Sequence, residues 1–385
     1  MIIDITRLLD RRMQGRLPTG VDRVSLEYIR YFGARATALV RFSGQWIELS
    51  SPHSKQLFEV LLSPTGNFNS KIRGIIAQSF PFSMAKRFSS RQYLFNTGHS
   101  GLEKSEYLTR LKRSGLKPIF FVHDLIPLSY PEYCRPGEAE KHRHRINMML
   151  SMGYGLIANS QETLTAVSEY AQANGFSMPP AVVALLAPPK FPYAMPNATL
   201  KLPYFVMLGT IEPRKNHWLI LHIWRQLIQL MGDRTPRLVI VGQRGWECEN
   251  VVDLLERCES LKGFVFEYTH CKDTELAAWL LGAQALLFPS FIEGYGMPLI
   301  EALSMKVPVI ASDLNVFREI AGDIPEYIDP LDGLKWKELI LEYAQINSLK
   351  RWAQIQRMAG FLAPTWQGHF ERVESFIETL ELAKC

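Results

Sequence analysis

The chain has 385 residues, 47% hydrophobic, 11% aromatic and 21% charged, and its 43 Lys and Arg against 38 Asp and Glu give a net charge of +5. That length predicts roughly two to three domains with a core large enough to need no disulfide or metal staple. The aromatic content and near-zero mean hydropathy exclude a disordered chain and a polytopic membrane protein.

The first apolar run, Ile2–Ile5, contains Asp4, which suits a buried first strand and not a signal peptide. Ala38–Phe42, Tyr93–Asn96, Pro118–Val122 and Gly155–Asn159 read as further strands. Amphipathic stretches at Val21–Phe32, Gly101–Arg113 and Gln161–Ala173 read as the helices between them. Residues 186–203, with five prolines and no period, read as a linker. The alternation then restarts, with strands at Tyr204–Leu208, Arg237–Val241, Phe264–Phe266, Ala285–Phe288 and Val307–Ala311. Helices are expected at Asn216–Met231, Val251–Ser260, Asp273–Leu281 and Pro298–Met305. Trp366, Phe370, Val373, Phe376, Ile377 and Leu380 have helical spacing. The expected architecture is α/β: two doubly wound parallel-sheet domains facing across a cleft, over 1–185 and 204–360. A C-terminal amphipathic helix over 361–385 is expected to pack back on the N-terminal domain.

The longest nearly uncharged apolar stretch, Ala277–Pro289, is shorter than the roughly 20 residues a membrane span needs. Cys134, Cys248, Cys258, Cys271 and Cys385 form no C-x-x-C pair, which predicts reduced thiols in a cytoplasmic compartment. Charge divides unevenly: residues 1–200 balance at +10 and residues 201–385 at −5. Arg11, Arg12, Arg16, Lys71, Arg73, Lys86, Arg87, Arg91, Lys112, Arg113, Lys141, Arg143 and Arg145 make most of the excess. A basic half suits a phospholipid surface, a lipid diphosphate or a nucleic acid, and equally a solvated face.

Ligands of α/β sheets bind beyond the carboxyl ends of strands. In the loop PSFIEGYGMPLIEAL, residues 289–303, Glu293 and Glu301 bracket Gly294 and Gly296, with Pro298 suited to a helix start. Such a turn offers N–H groups to an anion and carboxylates to neighbouring hydroxyls. In LGTIEPRKNH, residues 208–217, Arg214 and Lys215 stand just ahead of a helix, where the macrodipole disfavours cations unless an anion joins them. An arginine fork beside a lysine point charge suits a diphosphate. Gly242-Gln243-Arg244-Gly245 lacks the G-x-G-x-x-G of a dinucleotide loop. The run KHRHR, residues 141–145, reads as a solvated or acceptor-facing basic helix more than a metal site.

Gly209-Thr210, Pro213-Arg214-Lys215-Asn216, Val241-Gly242, Glu293-Gly294-Tyr295-Gly296-Met297-Pro298 and Glu301-Ala302 occur in that order. Together they resemble the donor-binding half of the retaining glycosyltransferases of family 4, also called group 1, which have the GT-B fold. The resemblance is strong over 204–330 and weaker over the N-terminal half. It implies that Gly209 lines the donor site, that Arg214 and Lys215 hold the donor diphosphate, and that Glu293 touches the transferred sugar. It further implies that Gly294, Tyr295, Gly296 and Met297 meet sugar and phosphate oxygens and that Glu301 binds ribose hydroxyls. In the N-terminal half Thr19-Gly20-Val21-Asp22-Arg23-Val24 resembles the family's glycine turn, with one glycine, Gly20, where the family often has two. Phe121-Val122-His123-Asp124 resembles the strand end that presents a histidine, here His123, to the sugar. Arg23 and Asp124 are the matching acceptor-side positions, and Asp124 also suits a loop cap.

The function implied is transfer of a sugar with retention from a nucleotide diphosphate to a glycan or lipid-diphosphate-linked acceptor in bacterial surface polysaccharide assembly. GDP-mannose comes first, from likeness of the EPRKN and EGYGMP loops to mannosyl-type transferases, and UDP-sugars or dTDP-rhamnose next. No Asp-x-Asp occurs, so neither metal nor other cofactor is expected, and charge neutralisation falls to Arg214, Lys215 and helix N-termini. The basic half adds the expectation of a peripheral place on the inner face of the cytoplasmic membrane. A same-fold epimerase or phosphorylase and a non-enzymic nucleotide-sugar binding module are the other readings. A nucleic-acid partner is not expected, because no reading motif or aromatic-interleaved basic strand is present.

Overall fold

A strand buried on both faces by helices has to be apolar at successive positions, and runs such as YFVML and RLVIV meet that condition. A computed structural model describes residues 1–16, 18–42, 45–63, 68–85, 88, 92–197, 200 and 202–382 of the chain. In it the apolar runs become two sheets. The first holds β1 (Ile2–Asp4), β2 (Thr37–Phe42), β3 (Gln45–Glu48), β4 (Tyr93–Asn96), β5 (Lys117–Val122), β6 (Gly155–Ala158) and β7 (Ala181–Val183). Their order is β3-β2-β1-β4-β5-β6-β7, parallel throughout except that β3 returns antiparallel against β2. The second holds β8 (Tyr204–Leu208), β9 (Arg237–Val241), β10 (Val265–Tyr268), β11 (Leu286–Phe288), β12 (Val309–Ser312) and β13 (Glu326–Ile328). Its parallel order, β10-β9-β8-β11-β12-β13, is the doubly wound arrangement that reverses direction between its first and fourth strands.

The strands that sequence reading leaves out are β3, β7 and β13, and all three are sheet edges. An edge strand is covered less completely, so it need not be uniformly apolar. β3 reads QWIE, and none of the three residues of β7 is fully buried. The helices Gly20–Phe32, Ser105–Ser114, Gln161–Ala173, His217–Met231, Glu249–Arg257, Asp273–Gly282 and Met297–Ser304 fall within a few residues of their expected places. Sequence reading leaves out others, among them Thr6–Met13, Ser51–Leu62 and Gly333–Ala344.

The chain forms two compact units, Met1–Leu128 with Gly137–Leu186 and Trp366–Cys385, and Ser129–Pro136 with Ala187–Thr365. Leu94, Phe120, Ile146 and Leu156 centre the core of the first. Phe205, Trp224, Ile240, Leu287 and Trp336 centre that of the second. The division is not linear in the chain. Residues 129–136 lie with the second unit: the Tyr133 ring stacks on Phe291 at 5.6 Å, and its carbonyl accepts a hydrogen bond from Trp246 Nε1.

The helix Trp366–Leu382 lies with the first unit. Phe370 stacks on Tyr31 at 4.1 Å and meets Tyr28 edge-on. His369 donates from Nδ1 to the Leu185 carbonyl and accepts at Nε2 from the Tyr28 hydroxyl. Residues 198, 199 and 201 of the expected linker, the cations Lys86, Arg87 and Arg91, and Cys385 lie outside the described residues.

Candidate active site

In the second unit the two loops singled out by sequence follow β8 and β11, the neighbouring strands at which the sheet reverses. After β8 the chain is pinned to the loop that follows β9. Ile211 N–H donates to the Gln243 carbonyl and Gly245 N–H to the Ile211 carbonyl. A Cβ on Gly242 would lie 1.9 Å from the Gly209 carbonyl oxygen, so only glycine lets the two backbones meet. A single turn, Pro213–Lys215, follows and ends at Asn216. Asn216 has φ of 56° and donates from its amide to the Pro330 carbonyl, which anchors the turn ahead of the helix His217–Met231.

After β11, residues 289–296 lead into the helix Met297–Ser304. Gly296 has φ of 113°, and a Cβ there would come within 2.7 Å of the Phe317 ring. That conformation opens the helix with its first-turn N–H groups at the strand's carboxyl end. The loops after β8 and β11 are interlocked by main chain. Phe291 N–H donates to the Arg214 carbonyl, and Arg214 Nη1 donates to the Ile292 carbonyl.

These contacts bring Arg214, Lys215 and Glu293 together. Arg214 Nη1 lies 2.7 Å from Glu293 Oε2, while Lys215 Nζ and the Ser290 hydroxyl both donate to Glu293 Oε1. The second guanidinium nitrogen of Arg214 pairs with Glu212 Oε1 at 2.7 Å, and the Lys215 ammonium stands 5.0 Å from the Phe288 ring centroid. The Glu212, Lys215 and Glu293 side chains are all below a tenth exposed. Burial alone would raise the Glu293 carboxyl, but Arg214 and then Lys215 outweigh it and hold it near about 2. Burial pushes Lys215 down, Arg214 pushes it further, and Glu293 opposes both. Burial raises Glu212 against the pull of Arg214. Two carboxylates and two cations thus make a buried, internally neutral group. Glu212 and Ser290 escape sequence reading, and the one available signal was Glu212 beside Pro213-Arg214-Lys215.

Tyr295 and Glu301 are buried, and Glu301 sits on the helix that Gly296 caps. Gly294 lies in the turn ahead of that helix, Met297 at its first position and Gly209 just after β8.

In the first unit His123 follows β5 and is buried. Its Nε2 donates to the Thr97 carbonyl at 2.8 Å, and burial lowers its pKa to about 4, so the ring is neutral at pH 7. It belongs to a group of three imidazoles, 5.0 Å from His99, with His99 5.9 Å from His142. His99 donates to the Phe121 carbonyl and His142 to the Asp124 carbonyl. The reading of residues 141–145 as a solvated or acceptor-facing basic helix is therefore corrected at one position, His142. His142 faces inward to hold the loop after β5, while Lys141, Arg143 and His144 are exposed. Asp124 accepts from Ile126 N–H and orders that loop. Gly20 opens the helix Gly20–Phe32, and among the described residues nothing beyond its chain neighbours and its own helix backbone lies within 4 Å of a Cβ placed on it; Arg23 lies one turn on, half-buried. Part of the basic excess is neutralised internally: Arg7 and Arg11 converge on buried Asp22, and Arg41 pairs with Asp4.

Among the described residues no helix is long and apolar enough to cross a membrane. Residues 195–325 match the family model of the glycosyl transferases group 1. The chain is 29% identical over 290 residues to the serotype-specific mannosyltransferase WbdA of Escherichia coli, covering 69% of this chain and 35% of that protein. It is 32% identical over 164 residues to the O-antigen chain mannosyltransferase B of Escherichia coli, covering 43% and 42%. The chain therefore spans about a third of WbdA. Among solved structures, Anabaena HepE in complex with UDP and glucose superposes with a TM-score of 0.64 at 13% identity, covering 99% of this chain and 98% of that one. The fold is GT-B.

Proposed function

We propose that the chain is a retaining glycosyltransferase that moves mannose from GDP-mannose to a hydroxyl of a glycan or lipid-diphosphate-linked acceptor in bacterial surface polysaccharide assembly. The observation that carries this reading is the buried Arg214–Lys215–Glu293 group, set at the carboxyl ends of β8 and β11 inside the region matching the group 1 model. The names of the relatives support mannose and O-antigen-type polymers. The UDP and glucose held by HepE favour a UDP-sugar as the second reading.

In this reading the donor diphosphate meets Arg214, Lys215 and the N–H groups of Gly296 and Met297, and Glu301 takes the ribose hydroxyls. As the bond from the anomeric carbon to the diphosphate breaks, negative charge grows on the leaving oxygen. The two cations and the helix N-terminus stabilise it without having to reorganise. Glu293, released from the cations that the phosphates now occupy, accepts from a sugar hydroxyl. The acceptor hydroxyl attacks from the face the diphosphate leaves, and a phosphate oxygen takes its proton. The anomeric configuration is thereby kept.

Thermal unfolding against GDP, UDP, dTDP, ADP and CMP tests the reading. A ligand at about 100 times its Kd adds about 2.7 kcal/mol, enough for a shift of several degrees. Selective stabilisation by GDP is expected. A shift with UDP alone would promote the second reading, and none with any diphosphate would remove the nucleotide site altogether.

A further inference from the structure

Residues 129–136 follow β5 and its loop in sequence yet belong to the second unit. Their shape is set locally. Pro131, with its φ fixed by the ring, opens the single turn Pro131–Tyr133, and Gly137 at φ of 78° leads into the helix Glu138–Met152. The turn presents a ring and a carbonyl, both from Tyr133, and each meets a different loop beside the donor cations. The ring lies parallel to Phe291 in the loop after β11, with centroids 5.6 Å apart at 4°. The carbonyl accepts from Trp246 Nε1 in the loop after β9 at 3.3 Å, and the Arg135 guanidinium stands 5.2 Å from the Trp246 centroid.

Both of those loops are hydrogen-bonded to the loop after β8, which carries Arg214 and Lys215. Phe291 N–H donates to the Arg214 carbonyl at 2.8 Å, and Gly245 N–H donates to the Ile211 carbonyl at 2.9 Å. The contacts therefore close on themselves: from Tyr133 to Phe291, along the loop after β8, into the loop after β9 and back through Trp246. Tyr133 and Trp246 are half-buried and stand outside the core of their unit. Their packing thus decides where the loops stand more than whether the chain folds. Among the described residues the Tyr133 hydroxyl has no hydrogen-bond partner, so its ring and main chain alone make the contact.

We infer that Tyr133 and Trp246 are positioning residues of the donor site: the segment 129–136 clamps the loops flanking Arg214 and Lys215 and holds these cations at the diphosphate. Neither is a catalytic residue, since both act through the loop that carries Arg214. The role at the diphosphate rests on the transferase reading above, whereas the clamp itself does not.

Tyr133→Ala, Tyr133→Phe and Trp246→Ala in the full chain test it. The readouts are amide hydrogen exchange over residues 208–216 and 289–296, and affinity for GDP and UDP against GMP and UMP. Tyr133→Ala and Trp246→Ala should each speed exchange in both loops. Losing one aromatic pair lowers the clamped fraction, so affinity for the bound diphosphate should fall about 2- to 10-fold. The monophosphate should be affected less, because the cations act on the diphosphate. Tyr133→Phe keeps the ring and should behave as the parent. A lower melting temperature with unchanged exchange and affinity would make the stack structural only and overturn the proposal. Equal losses for mono- and diphosphate, or a Tyr133→Phe variant as impaired as Tyr133→Ala, would overturn it too. If no nucleotide binds the parent, the transferase reading falls and exchange decides the clamp: faster exchange in Tyr133→Ala keeps it, and unchanged exchange removes it.

Discussion

At Glu293 burial and charge act in opposite directions, and the cations win. The carboxylate stays ionised because Arg214 and Lys215 flank it, and in turn it makes their burial tolerable. A buried ion pair of this kind is weak evidence of stabilisation, but breaking one is costly, about 3–5 kcal/mol. The same group that neutralises the cations competes with the donor diphosphate for them. Glu293→Gln should therefore do three things at once. It should lower folding stability by about 3 kcal/mol, and it should reduce turnover by about 100- to 1000-fold, as loss of one transition-state stabiliser does. It should also bind GDP more tightly than the parent, since GDP carries no sugar for Glu293 to touch and meets two unopposed cations. Denaturant unfolding, kcat and a GDP titration check the three. Weaker GDP binding would mean that the carboxylate does not compete for the cations, and unchanged turnover would remove it from the chemistry.

Elements reveal which glycines the fold itself requires. Gly242 is the contact through which the loop after β9 supports the loop after β8, and a methyl group there would strike main chain. Gly242→Ala should cost about 1–3 kcal/mol, the range of overpacking, and should abolish stabilisation by nucleotide because Arg214 and Lys215 move with their loop. Gly20 has open space around it and no positive φ, so Gly20→Ala should keep folding stability or raise it by about 0.4–1 kcal/mol, from the unfolded side. If a substrate approaches that turn, KM rises in the same variant; a wild-type KM would take Gly20 out of the site. Sequence alone does not tell these two glycines apart, because both read as a glycine after a strand. It does locate the strands that are apolar through and through, and with them both donor loops. It misses Glu212 and Ser290 because each acts by supporting a neighbour, Arg214 two residues on and Glu293 three residues on, and a local turn contact of that kind leaves no periodic signal. It misreads His142 because the exposed cations on either side of it mask an inward-facing position.

Over the whole molecule, buried histidines set the response to acid. Burial lowers His123 and His369 to about 4, and burial followed by the charge of Lys215 lowers His217 to about 3. His99 and His142 shift down for the same first reason, His99 then being pressed by its two neighbouring imidazoles. The native state thus keeps these rings neutral, while the unfolded chain protonates them below about pH 6.5. The unfolded state binds more protons between there and the native values, so stability falls as pH falls across that window. His123, His217 and His369 each contribute a loss of about 2 kcal/mol by pH 5. Against a typical total of about 5–15 kcal/mol, that is a large share. Glu293 acts in the same sense but in a lower window: its native value lies below the unfolded one, so its stabilisation is complete above about pH 4.5 and is lost only toward pH 2, and it adds nothing to the change between pH 7 and 5. The melting temperature should therefore drop markedly from pH 7 to pH 5, before Glu293 titrates. His369→Gln, which removes one protonation site far along the chain from the donor loops, should make that drop smaller. A melting temperature flat from pH 7 to pH 5 would mean that these rings are solvated or paired with acids in the native protein, and that neither unit buries a neutral imidazole in its core.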